Sequence, residues 1–117
     1  MKKFTNILKA LADEKRVRIL KLLSQRKLCV CELADILNAT QPAVSKHLKK
    51  LRSAGLIDSE QNGFWTNYST TKSKDKHAKM LLGCVNKWLN EDATIKRDVR
   101  KAKDINRQKL CCKKDNW

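Results

Sequence analysis

The stretch NATQPAVSKHLKKLRSAGL, residues 38–56, decides how this chain folds. Thr40 is a side-chain acceptor placed to cap a helix, Pro42 falls in the first turn where its missing N–H costs nothing, and Gly55 is a natural stop. Projected at about 100° per residue, Val44, Leu48 and Leu51 share one face, while Ser45, Lys46, Lys49, Lys50 and Ser53 point away from it. Just upstream, Leu33, Ala34, Ile36 and Leu37 read as a helix over 32–37, and the acids Glu32 and Asp35 suit its positive N-terminal end. Only Asn38 to Thr40 separate the two helices, which is helix-turn-helix spacing. A helix entered through Thr40 and Gln41, with an outward face of short polar groups and cations, is what a major-groove reader requires. Gln41 and Ser45 can hydrogen-bond base edges while Lys46 and Lys49 hold phosphates. A solvated face of an ordinary bundle would also be Lys-rich, so the helix alone leaves both readings open.

Working outward, Phe4, Ile7, Leu8 and Leu11 predict a first helix, and Asp13 breaks it and can cap the next. Val17, Ile19, Leu20, Leu22 and Leu23 predict a second helix ending near Ser24, followed by KLCVC, residues 27–31, as a short extended segment. After Gly55 two short strands meet at an Asn62–Gly63 turn, so a hairpin follows the helices and Asn62 stands at its tip, among the candidate DNA contacts. From Lys74 to about Leu110 the pattern is helical again. His77, Met80, Leu81, Cys84, Val85, Trp88 and Leu89 form one apolar stripe, and Ile95, Val99 and Ala102 a sparser one. The fold class is therefore mainly α with a small β-hairpin, a winged helix-turn-helix. The first stripe exceeds what one small domain needs for its own core; with Phe4 to Leu11 it predicts a dimer through the terminal helices, as pairing of two readers requires. Residues 1–92 form the DNA-binding and dimerisation domain, and 93–117 a basic helix and tail with two adjacent cysteines.

Lys and Arg number 27 against 12 Asp and Glu, and the resulting net charge of +15 on 117 residues favours a polyanionic partner, nucleic acid before membrane surface. No run approaches the length of a membrane span, and the N-terminus is too polar for a signal peptide, which places the protein in the cytoplasm. There the five cysteines, an odd number, stay reduced. No Ser-His-Asp set, Gly-rich phosphate loop or His-Glu-x-x-His motif is present, so the chain is read as a non-enzyme with no required cofactor. Cys29 and Cys31, two residues apart, lie about 200° around a regular helix and could not face one atom there, whereas an extended or distorted segment would allow it.

ALADEKRVRILKLL (10–23), LCVCELADILNATQPAVSKHLKKLRSAGLI (28–57) and GFWTNYST (63–70) resemble the ArsR/SmtB family of metalloid- and metal-responsive repressors. The resemblance covers roughly residues 4–92, and the CVC element resembles the arsenic-sensing subgroup. It implies a homodimer that sits on operator DNA, blocks a resistance operon and lets go when inducer binds. Cys29 and Cys31 match the two leading cysteines of the arsenite site, but the third position of that pattern is Ala34 here. As(III) prefers three thiolates, so Cys111 or Cys112, from the same or the partner chain, would complete the set; Sb(III), or a methylated trivalent arsenical needing only two sulfurs, would also fit. Asp75, His77 and Glu91 match part of the family's zinc site, but Trp88 stands where a His ligand should be, which disfavours it. His47 is read as locally hydrogen-bonded, Cys84 as a small buried residue and Trp65 as packing. The alternatives are a thiol-redox or zinc sensor on the same scaffold, or a module that binds no DNA.

Overall fold

The computed structural model describes residues 1–105. Its elements run α1 (Lys2–Leu11), α2 (Glu14–Leu23), α3 (Val30–Leu37), α4 (Gln41–Ser53), β1 (Ile57–Asn62), β2 (Trp65–Thr70), α5 (Lys76–Lys87) and α6 (Ala93–Lys103). Asp13 caps α2 by accepting from the Arg16 N–H at 3.1 Å. Thr40 caps α4 by accepting from the Ala43 N–H at 3.3 Å, and the three residues between α3 and α4 turn through Asn38, which takes the left-handed conformation at φ 53°. Gly55, at φ 77°, lets the chain leave α4 into the hairpin.

Three local expectations shift. Helix α3 begins at Val30 rather than Glu32, because Cys29 and Glu32 form a reciprocal capping box: the Glu32 carboxylate accepts the Cys29 N–H at 3.0 Å while the Cys29 side chain caps the third helical N–H. Cys31 thus lies inside the first helical turn, and the extended segment ends at Cys29. Leu28 makes an antiparallel bridge with Tyr68 of β2, and Cys29 keeps an extended backbone at φ −99°, ψ 173°. The hairpin turn sits one residue later than expected. Asn62 pairs with Trp65, leaving Gly63 and Phe64 as the loop, with Gly63 at φ 65°. Glycine at the first of two central positions is the type II′ arrangement, whose twist matches the strands.

The third shift is at the C-terminal side, where the helical pattern is interrupted between Lys87 and Ala93. Lys21, buried on α2, donates its ammonium to the carbonyls of Val85 (3.0 Å), Asn86 (3.1 Å) and Trp88 (3.0 Å) and to Asn90 Oδ1 (2.6 Å). A cation at the free carbonyls of a helix end stabilises that end, so α5 stops there. Burial lowers the Lys21 pKa. Ala78 and Leu82 turn α5 toward the core, with Leu81 and Val85 of the predicted stripe packed against it, while Met80 and Trp88 stay exposed. That core joins Ile7, Ile19, Leu20, Leu22, Leu28, Leu33, Val44, Leu48 and Leu51, all essentially without solvent exposure.

Helix α6 folds back onto α2 and α3. Ile95, Asp98 and Ala102 face inward, and Asp98 receives both Arg18 Nε (2.8 Å) and Nη2 (2.9 Å) in a bidentate pair. That hydrogen bonding raises the Arg18 pKa still further above its already high value. Arg26 donates to the Ala102 carbonyl at 2.9 Å, and Lys101 reaches the Asp35 and Ile36 carbonyls at the end of α3 at 2.8 and 3.4 Å.

Candidate nucleic-acid interface and thiol site

The reader residues occupy one exposed front of α4. Val44, Leu48 and Leu51 bury the back of the helix, so Ser45, Lys46 and Lys49 are held outward by the burial of their neighbours. Thr40 is exposed at the N-terminal end, Gln41 is half-buried beside it, and Asn62 is exposed at the wing. Between α4 and the wing lies an open hollow of about 400 Å³ lined by Ser45, Leu48, Lys49, Arg52, Ser53 and Tyr68. The same Tyr68 exchanges backbone hydrogen bonds with Leu28, its N–H donating at 2.8 Å and its carbonyl accepting at 3.2 Å. The wing is therefore tied to the residue immediately before Cys29.

A second tie runs from the other cysteine. Gln41 Nε2 donates to Cys31 Sγ at 3.5 Å, joining the first residue of the reader helix to a thiol in the first turn of α3. Cys29 is only 3% exposed and its sulfur serves as the helix cap; Cys31 is half-buried. The two sulfurs thus have separate structural jobs: one starts α3 and the other holds α4. Neither contact was legible as a pair of neighbours in sequence, although Cys-x-x-Glu is a capping-box spacing with sulfur in place of a hydroxyl.

His47 is half-buried, and its partner is not local. Arg16 Nη1 lies 3.3 Å from His47 Nδ1, while Arg16 Nε donates to the Ala10 carbonyl (2.7 Å) and Nη2 to the Lys9 carbonyl (3.3 Å). One guanidinium therefore caps the end of α1 and reaches the reader helix. Desolvation lowers the His47 pKa, Asp13 opposes that, and Arg16 adds to it. Nδ1 can accept from Arg16 only in the neutral ring.

The zinc-type residues do different work. Asp75 caps α5 by accepting from the His77 and Ala78 N–H groups, each at 3.0 Å, and pairs with Lys3 at 2.7 Å. The Lys3 hydrogen bond, followed by the Ala78 N–H, holds its carboxyl at about 2. The His77 ring meets Phe4 edge-on at 5.2 Å, Glu91 pairs with Lys96 at 3.0 Å, and Trp88 is 67% exposed. Among the described residues no three His, Cys, Asp or Glu side chains gather where they could hold a metal ion. Cys84 is half-buried on α5, and Trp65 is half-buried on the wing. Cys111 and Cys112 lie outside the described residues.

Two helices joined by a three-residue turn, with the second presenting cations beside a β-wing, define a winged helix-turn-helix DNA-binding protein. The family described as "Bacterial regulatory protein, arsR family" matches residues 13–59. The chain is 46% identical over 69 residues to the arsenical resistance operon repressor of Bacillus subtilis, covering 58% of this chain and 66% of that one, just under two thirds of its length. It is 35% identical over 92 residues to the arsenic resistance transcriptional regulator ArsR1 of Pseudomonas putida, covering 74% and 72%. The homodimeric winged helix-turn-helix DNA-binding domain of Mb0332 from Mycobacterium bovis superposes with a TM-score of 0.63 at 26% identity, over 72% of this chain and 75% of that one. The chain belongs to the arsR family of bacterial regulatory proteins, which are transcription regulators and not enzymes. No helix among the described residues is long and apolar enough to cross a membrane.

Proposed function

We propose that the protein is a transcriptional repressor that holds operator DNA as a homodimer and releases it when trivalent arsenic binds Cys29 and Cys31. The observation that carries this reading is the Gln41–Cys31 hydrogen bond, 3.5 Å long, together with the capping role of Cys29. Each thiol would displace one hydroxyl of arsenous acid as water, forming an As–S bond. An As–S bond at Cys31 replaces its S–H and aims the sulfur at arsenic, away from the Gln41 Nε2 that donates to it. One at Cys29 withdraws the cap of α3, a type of contact worth on the order of 1 kcal/mol for an oxygen acceptor. Bringing both sulfurs to one atom draws Cys29 from the Glu32 N–H it caps and Cys31 from Gln41, which would shift the start of α4 and the Leu28–Tyr68 bridge to the wing. A coupling of about 3 kcal/mol would weaken operator binding on the order of a hundredfold.

Thr40, Gln41, Ser45, Lys46, Lys49 and Asn62 are the proposed DNA contacts, the first three near base edges and the lysines at phosphates. The dimer would form through α1 and α5, where Phe4, Leu8, Met80 and Trp88 remain 40, 42, 64 and 67% exposed in one chain; a monomeric mass in sedimentation equilibrium at micromolar concentration would contradict it. Cys111 or Cys112 would supply the third sulfur. Helix α6 ends against the last turn of α3, and the six residues from Ile105 to Cys111 span at most about 20 Å, whereas α3 is about 12 Å long. The tail of the same chain is therefore long enough to reach the site.

The test is operator affinity with and without arsenite in the wild type, in Cys29→Ser, in Cys31→Ser and in a chain ending at Gln108. Wild type should release DNA, both serine variants should stay bound, and the shortened chain should need more arsenite. Release from either serine variant at the wild-type arsenite concentration would place the site elsewhere.

A further inference from the structure

We infer that the outward face of α6 is a second DNA-backbone surface, contacting phosphates that flank the major-groove site. The inference rests on the operator-binding reading above and concerns residues outside the stretch that matches the family, 13–59. Helix α6 buries one stripe, Ile95, Asp98 and Ala102, against α2 and α3. Asp98, the only acid between Ala93 and Lys103, is consumed inside by Arg18. What the helix turns to solvent is Lys96, Arg97, Arg100, Lys101 and Lys103. Of these, Lys96 pairs with Glu91 at 3.0 Å and Lys101 is anchored on α3; the other exposed acids stand at the two ends of the helix, Asp92 as its N-cap accepting from the Thr94 and Ile95 N–H groups, and Asp104 after its last turn. Arg97, Arg100 and Lys103 are left as the outward cations.

Place argues with charge. In a helix-turn-helix the first helix of the pair crosses the DNA backbone while the second enters the groove. Lys101 fastens α6 to the Asp35 and Ile36 carbonyls, at the end of that first helix and a few residues before Gln41. The basic helix is therefore held beside the element that runs over the backbone. Its docking is fixed by a buried bidentate ion pair, so ordering it would not be charged to DNA binding. The occupant that fits a row of guanidinium and ammonium groups is a run of phosphates, and such contacts carry no base information.

The experiment compares wild type, the triple variant Arg97→Gln/Arg100→Gln/Lys103→Gln, and the charge-preserving Arg97→Lys/Arg100→Lys/Lys103→Arg, measuring Kd against salt on a duplex extending beyond the operator. Each phosphate contact contributes about −0.9 to the slope of log K against log salt. Because the homodimer carries two such faces, the glutamine variant should show a slope shallower by about 2 to 5, with equal loss on operator and unrelated DNA, and the charge-preserving variant should keep the wild-type slope. An unchanged slope in a glutamine variant with wild-type circular dichroism would overturn the inference, as would an equal change in the charge-preserving variant. Wild type that shows no operator preference would instead contradict the repressor reading.

Discussion

His47 connects the reader helix to the end of α1 through one guanidinium, and its titration is measurable. Its native pKa lies below the unfolded value of about 6.5, so the unfolded state binds more protons in that region and stability rises with pH. The contribution is complete above about pH 6.5 and drains away as pH falls below it. Asn keeps an acceptor near the Nδ1 position but does not titrate. Between pH 7 and 5 the wild type should lose stability relative to His47→Asn, read from urea midpoints, and parallel pH profiles would show that the Arg16 contact does not depend on the neutral ring. At this scale the sequence is legible where partners are local. Asp13, Thr40 and Gly55 act as their positions imply because a cap needs only the next turn. The Arg16–His47 and Gln41–Cys31 contacts join residues 31 and 10 apart, and nothing in spacing alone aims those side chains.

Among the elements, the two helices of the reader were readable because apolar period and caps agree over residues 38–56. The hairpin was readable too, but its turn moved by one residue because Gly63 takes the first loop position. The packing of helix α6 was not legible: nothing in the spacing of a basic run marks its one aspartate as the inward residue, yet Asp98 is 1% exposed and holds the helix down. Removing one partner of a buried pair leaves the other charge uncompensated. Asp98→Ala should therefore destabilise the chain by about 3 kcal/mol or more, while the double variant Arg18→Met/Asp98→Leu should recover most of the loss. Chemical denaturation measures both, and a neutral Asp98→Ala would mean that α6 is only loosely docked. The interruption between α5 and α6 escaped the pattern for a similar reason. Lys21 sits within an apolar run of α2, and only the folded chain brings its ammonium to the carbonyls of Val85 and Trp88.

At the level of the whole molecule, charge and the helix-turn-helix spacing already pointed to a DNA reader, and the arsR family membership and the fold agree with it. The way the inducer site would be wired to the reader was not legible, since it depends on a sulfur that caps one helix and another that holds the next. If arsenic and operator DNA compete for the same arrangement of Cys29, Cys31 and Gln41, linkage requires each to weaken the other by one common factor. The most direct test is the arsenite affinity of the protein free and bound to saturating operator, set beside the operator affinity with and without arsenite. The account predicts that arsenite binds the DNA complex about a hundredfold more weakly than the free dimer, matching the loss of operator affinity. Equal arsenite affinity in the two states would contradict it.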